Sequence, residues 1–237
     1  MVKPLTTAMV LAAGIGSRMR PLTDDRPKAL VEVGGRAMID HVLDRLGEAG
    51  VETAVVNVHH FADQMETHLA GRVHPRVEIA DERAGLLDSG GGIKNALPLL
   101  GDDPIFVANI DSLWIDGTIP PLEAMKAAWD PAVMDMLLLL VPKGQGIGFE
   151  GPRGFFLAED GRITHSADDA NPAPFANVGF QIMQPHLLRD EPDGPFSILP
   201  IWWRLQDQGR IFGVVMDAFW MHVGDPAARE AAEARLR

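Results

Sequence analysis

The chain has 237 residues, 46% of them hydrophobic and 23% charged, with a formal net charge of −12 and no cysteine. That length can bury a full core as a single globular domain, while the acidic balance opposes general binding to nucleic-acid backbones or anionic membranes. The missing thiols exclude disulfides and thiolate metal sites. The N-terminal apolar run is too short for a signal peptide, and the longest later one, residues 136–141, falls far below the ~20 apolar residues of a membrane span. A cytoplasmic location is expected, with no nucleic-acid or membrane partner.

In chain order, residues 8–13 form a short β-rich apolar run ending in glycine, and residues 38–49 place Met38, Val42, Leu46 and Ala49 at helical spacing. The alternation continues with a strand at 51–58, a helix at 62–69, a strand at 77–80, a helix at 92–100 and a buried strand at 104–110. Sequential βα units of this length predict an α/β fold: a doubly wound, mostly parallel central sheet with helices on both faces. The second half is less regular. It predicts a helix at 123–129, a buried strand at 134–141 and a hairpin turning at Asp160-Gly161. A strand at 176–183, a tryptophan-rich helix at 198–208, a strand at 211–216 and an alanine-rich helix at 226–236 complete the chain. The hairpin adds a small antiparallel part. Residues 167–174 carry turn formers and little to bury, and are expected to form a mobile loop.

The apolar run of the first strand opens into LAAGIGSRMRPLTDDRPKAL at 11–30. Its Gly14-Ile15-Gly16 turn lets the backbone approach a ligand closely and offers amide donors to phosphate oxygens. Arg18, Arg20, Arg26 and Lys28 add positive charge within a few residues. The string is not a dinucleotide fingerprint, because Met19 stands where the third glycine belongs, and no Walker A loop occurs. Elsewhere, His59, His60, His68 and His74 share no face and do not read as a metal cluster. The glycine-rich stretch 144–151 reads as a connector, and Trp202-Trp203 as core or subunit interface.

As a unit, G-x-G-x-R-x-x-P-x-T followed by P-K resembles the signature of the sugar-phosphate nucleotidyltransferases, which join a nucleoside triphosphate to a sugar 1-phosphate and release pyrophosphate. The resemblance implies a Rossmann-like nucleotidyltransferase fold over the whole chain, 1–237, with a nucleotide-binding half at about 1–112 and a sugar-binding half at about 113–237. It puts Leu11, Ala12, Ala13, Gly14, Gly16, Ser17 and Arg18 around the triphosphate, Pro21 and Thr23 at the loop's exit, and Lys28 within reach of phosphate. LDSGGGI at 87–93 is similar to the family's nucleobase-lining segment and implicates Ser89 and Gly90. Asn109-Ile110-Asp111 is similar to the strand end that supplies a magnesium-binding aspartate, and Asn177-Val178-Gly179, with Asn109, to the sugar-contacting part. The stretch 220–224 resembles the closing W-x-D-V-G.

The reaction brings two anions together and builds charge on the departing pyrophosphate, so positioning and neutralisation are most of the task. By resemblance, Arg18, Lys28 and Asp111 are the catalytic residues and Mg²⁺ the cofactor, with Mn²⁺ as the softer alternative. One position departs from the pattern: His222 stands where the family has a second metal-binding carboxylate. Mg²⁺ prefers oxygen, which leaves Asp225 or Asp217 reaching in, water and phosphate oxygens filling the gap, or His222 itself holding a softer ion. It also leaves open a catalytically silent regulatory protein that binds nucleotide sugar. Within the family, the segments at 88–101 and 166–170 are most similar to the N-acetylmuramate-1-phosphate uridylyltransferases of cell-wall recycling, with UTP as the nucleotide. The mannose-1-phosphate and heptose-1-phosphate guanylyltransferases come second.

Overall fold

Successive side chains of a strand point to opposite faces of its sheet, and in the first strand this decides which core each residue enters. In the computed structural model, which describes residues 3–149, 153–166, 168 and 170–237, β1 (Thr7–Leu11) leads to a two-stranded ribbon of β2 (Glu32–Val33) and β3 (Arg36–Ala37). Helix α1 (Met38–Glu48), β4 (Thr53–Val58), α2 (Ala62–Leu69) and β5 (Arg76–Asp81) follow. Next come α3 (Asp88–Leu100), β6 (Ile105–Asn109), β7 (Ser112–Asp116), α4 (Pro121–Ala128), β8 (Met136–Pro142) and β9 (Gly146–Ile147). The chain continues through β10 (Gly154–Leu157), β11 (Ile163–Ser166), β12 (Phe175–Met183), α5 (Leu199–Asp207), β13 (Ile211–Val215), β14 (Ala218–His222) and α6 (Pro226–Leu236).

Nine strands form one sheet in the order β11-β10-β12-β6-β1-β4-β5, with β8 joined to β12 and β13 joined to β8. β5, β4, β1 and β6 are parallel; β12 is antiparallel to β6 and to β8, and β13 is parallel to β8. Only β12 and the hairpin strand β11 therefore run against the rest. Ala8 and Val10 face a core built with α1, α2 and α4, whereas Met9, between them, faces a second core with α3 and α5. This is the two-faced α/β architecture expected from the βα alternation. The hairpin turns at Asp160-Gly161, with Leu157 opposite Ile163. Trp202 is buried in the second core and Trp203 packs on His165 with ring centroids 4.4 Å apart. Among the described residues, no helix is long and apolar enough to cross a membrane.

Three sequence expectations need correction. Helix α3 starts at Asp88, not at 92, because it absorbs Gly90, Gly91 and Gly92. A Cβ there would lie 2.4 Å from the Phe196 ring, 2.3 Å from Gly194 O and 2.7 Å from Glu82 Oε1, so close packing offsets the poor helix propensity of glycine. The connector at 144–151 contains β9, which pairs with β14 beside β7 in a separate three-stranded sheet; residues 150 and 151 lie outside the described ones. The loop at 167–174 does bury something: Ala173 is fully covered and Pro174 O accepts the Lys143 amide at 2.9 Å, while residues 167 and 169 lie outside the described ones.

Candidate active site

Parallel strands deliver their carboxyl ends to one edge of a sheet, and ligands of open α/β sheets bind in the crevice there. Register places Leu11 beside Asn109, and Val10 beside Val56, so the ends of β4, β1 and β6 lie side by side. Between them is a cleft of about 500 Å³ lined by Leu11, Ala12, Ala13, Gly14, Gly16, Ser17 and Arg18 from the first loop, with Lys28, Ser89, Asn109 and Asp111. Gly90, Asn177, Gly179, His222 and Asp225 are not among its lining residues.

The loop is built around Gly16. Its φ of 69° opens a 3₁₀ turn at Ser17–Met19, and the fully buried Met19 pins that turn to the core. Thr23 Oγ1 donates to Gly16 O at 2.9 Å. A Cβ on Gly16 would fall 2.9 Å from Lys28 Cβ and 3.1 Å from Thr23 Cγ2, so the missing side chain is what lets the loop lie against Lys28. Gly14 differs, because a Cβ there would meet no atom within 4 Å. Among the described residues, the amides of Gly14, Ile15 and Gly16 donate to no protein group, whereas those of Ala12 and Ala13 are already taken by Asn57 Oδ1 at 2.6 and 3.2 Å. The free donors of the loop thus begin at Gly14. Arg18 is exposed and makes no ion pair among the described residues.

Lys28 opens a second 3₁₀ turn behind Pro27 and crosses to Asp111, Nζ to Oδ2 2.6 Å, with side chains only 11% and 19% exposed. Asp111 lies two residues past the end of β6, and its carbonyl accepts the Val223 amide at 2.8 Å. That bond, with Ser112 opposite His222 in the β7–β14 pair, brings His222 Nε2 to 3.7 Å from Asp111 Oδ2. Burial pushes the His222 imidazole below its usual pKa, against the pull of Asp111 and with the push of Lys28 and Arg18, so the ring is neutral near pH 7. Its Nε2 is buried without a hydrogen-bond partner. Asp225 uses Oδ1 to cap α6 through the Ala228 amide at 2.8 Å. Asp217 lies at the far end of β14, where Oδ2 accepts the Thr118 amide, and is removed from the site. The cleft is therefore faced by the Asp111 carboxylate, with the covered imidazole of His222 3.7 Å from it, and a divalent ion on Asp111 that completes its shell with phosphate oxygens and water fits this arrangement.

Two residues that sequence reasoning passed over shape the cleft. Asn57 is buried; it donates from Nδ2 to Glu82 Oε1 at 2.7 Å, and Glu82 Oε2 accepts the Leu87 amide at 3.2 Å. This chain of bonds ties the ends of β1 and β4 to the segment that follows β5. An amide within the apolar run Val55-Val56-Asn57-Val58 was the available signal. Asp88 also lines the cleft, at φ 61°. Of the expected nucleobase residues, Ser89 accepts the Ile198 amide at 3.1 Å, and the Gly90 amide donates to Phe196 O at 2.9 Å. On the other side, Gly179 sits at an irregularity in β12 with φ 88°, where a Cβ would come 2.8 Å from Asn109 Nδ2, and its amide donates to Asn177 Oδ1 at 3.0 Å. Asn109, Asn177 and Gly179 are thereby grouped beside the end of β6.

Comparison with known proteins agrees with this geometry. Residues 8–145 match the model of the MobA-like NTP transferase domain. The chain is 55% identical over 233 residues to an N-acetylmuramate alpha-1-phosphate uridylyltransferase of Caulobacter vibrioides, covering 97% of this chain and 96% of that protein. It is 35% identical to the protein of the same name in Neisseria meningitidis, covering 96% of each. Among solved structures, a UDP-glucose pyrophosphorylase complexed with UDP-glucose superposes with a TM-score of 0.82 at 16% identity over 98% of both chains, a likeness of fold. With its MobA-like NTP transferase domain and its whole-length similarity to these uridylyltransferases, the chain belongs to the sugar-phosphate nucleotidyltransferase family.

Proposed function

We propose that this enzyme transfers the uridylyl group of UTP to N-acetylmuramate 1-phosphate and releases pyrophosphate, a step of peptidoglycan recycling in the cytoplasm. The observation that carries the reading is the convergence on one cleft of the Lys28–Asp111 pair with a guanidinium and loop amides that have no partner among the described residues. The choice of UTP and of N-acetylmuramate 1-phosphate rests on the 55% identity to the Caulobacter uridylyltransferase.

In this reading the phosphate oxygen of the sugar attacks the α-phosphorus of UTP in line, and the bond to the β-phosphate breaks. Arg18 and the amides of Gly14 to Gly16 hold the phosphates that leave, in a loop already shaped before ligand arrives. Such preorganised donors stabilise charge as it develops. Lys28, seated between the loop and Asp111, is positioned to move its ammonium toward the reacting phosphates. Asp111 would hold the divalent ion, Mg²⁺ or Mn²⁺, which would neutralise phosphate charge. Asn109, Asn177 and Gly179 face the sugar, and Ser89 the base.

The test is pyrophosphate release from each of UTP, GTP, CTP and dTTP against N-acetylmuramate 1-phosphate, mannose 1-phosphate and glucose 1-phosphate. The highest kcat/KM is expected for UTP with N-acetylmuramate 1-phosphate. A higher value for GTP with mannose 1-phosphate, or nucleotide binding without turnover in every pairing, would refute the assignment.

A further inference from the structure

A buried polar atom left without a partner costs about 1–3 kcal/mol, and such atoms in native proteins call for an explanation, an absent ion among them. His222 Nε2 is one of five such side-chain atoms among the described residues. Four of the five are Arg72 Nε, Trp129 Nε1, Gln181 Oε1 and Trp202 Nε1, and none of those residues lines the active-site cleft. His222 does not line it either, but its Nε2 stands 3.7 Å from the carboxylate of Asp111, which does.

This nitrogen is covered, and a glycine borders it. Gly224 lines the cleft, and a Cβ on it would come 2.9 Å from His222 Nε2, so the missing side chain is what lets the imidazole lie against the cleft's wall. The backbone holds the two donors in place from both sides: Ser112 pairs with His222 across β7 and β14, and Asp111 O accepts the Val223 amide. Two donors that share one first-row ion, each about 2.1 Å from it, lie at most about 4.2 Å apart. The observed separation falls within that limit without any rearrangement of the backbone.

We infer that His222 Nε2 and Asp111 form a mixed nitrogen–oxygen site, which makes this chain select a first-row transition-metal ion such as Mn²⁺ over Mg²⁺. The inference deepens the proposed function, because it names the metal class of that same site. Imidazole nitrogen favours transition metals, whereas Mg²⁺ demands oxygen and dehydrates reluctantly. Lys28 opposes any cation at Asp111 Oδ2, with Nζ 2.6 Å away. Removal of that ammonium to the phosphates of UTP is therefore expected to tighten ion binding.

The decisive measurement is pulsed electron paramagnetic resonance on the full-length, nucleotide-free protein with Mn²⁺ added. Coupling of the ion to one imidazole ¹⁴N is expected in the wild type and absent in His222→Ala. Bound Mn²⁺ without ¹⁴N coupling in the wild type would overturn the inference, and this outcome needs no folded variant. In parallel, competition between Mn²⁺ and Mg²⁺ gives the ratio of their affinities, expected to fall at least about tenfold in His222→Asp, the size of effect typical for lost metal-site interactions. An unchanged ratio would also overturn it. Both readouts are independent of turnover, so failure of the uridylyl assignment shows only in the pyrophosphate assay, and failure of the metal site only here.

Discussion

Gly14 and Gly16 stand two residues apart in one loop, yet alanine is expected to have opposite consequences at the two positions. At Gly16 the backbone has φ 69°, and holding alanine there costs about 1–2 kcal/mol. Its methyl would press on Lys28 Cβ at 2.9 Å and Thr23 Cγ2 at 3.1 Å, where overpacking adds about 1–3 kcal/mol. Together these lower stability by about 2–5 kcal/mol, a fall of roughly 4–20 °C in Tm for a chain of this size. Relief requires Lys28 or Thr23 to shift, and a displaced Lys28 lowers turnover as well. At Gly14 neither penalty applies, and the stiffer unfolded chain makes Gly14→Ala neutral or more stable by about 0.4–1 kcal/mol. There the methyl enters the free space beside the loop's open amides and weakens UTP binding instead. Urea unfolding followed by tryptophan fluorescence, with calorimetric titration of UTP, separates the two effects. A wild-type midpoint for Gly16→Ala, or a greater loss of stability for Gly14→Ala, would refute the reasoning.

Arg18→Ala should leave the unfolding midpoint within the ±0.5 kcal/mol or so typical of surface changes, while kcat/KM for pyrophosphate release drops by about 10²–10³; a matching loss of stability would show that Arg18 is structural. Asp111→Asn removes the charge facing Lys28 and is expected to lower turnover by about 100-fold or more; full activity in this variant would remove Asp111 from the mechanism. Asn57→Ala strands Glu82 Oε1 and the amides of Ala12 and Ala13. A destabilisation of at least about 3 kcal/mol is expected in urea, and a loss below about 1 kcal/mol would contradict the network described here. Asp225→Ala should cost about 1 kcal/mol as a lost helix cap and leave the Mn²⁺ titration unchanged; a weakened titration would bring Asp225 into the metal shell.

Much of the first loop's geometry was legible in the sequence because it is local. The run from Leu11 to Lys28 folds within itself, with Gly16, Thr23 and Lys28 packed together, so its spacing carries the geometry. The helices α1 and α2 likewise lie within their own stretches of sequence, and α6 is alanine-rich and capped by its own neighbour Asp225. The elements that were missed depend on distant partners. β7 pairs with β14 across about a hundred residues and β9 adds to the same sheet, and no short-range pattern in SLWID or AFWMH encodes that register. The same holds for the Asn57–Glu82 network, which exists only because β4 and β5 end side by side. The Gly90 amide could not be read as occupied, since its acceptor, Phe196 O, comes from a segment more than a hundred residues away. His222 was visible as a departure, but that its Nε2 lies buried, unpartnered and beside Asp111 is a fact of the tertiary structure alone.

The central claim is that the triphosphate binds where β1 ends, held by the amides from Gly14 onward and by Arg18. A crystal structure of the enzyme with UTP and a divalent ion tests this most directly. Phosphate oxygens within hydrogen-bond distance of the Gly14 to Gly16 amides, with Lys28 drawn from Asp111 toward them, are the predicted result. UTP bound at another site, with the Lys28–Asp111 pair intact, would contradict the account.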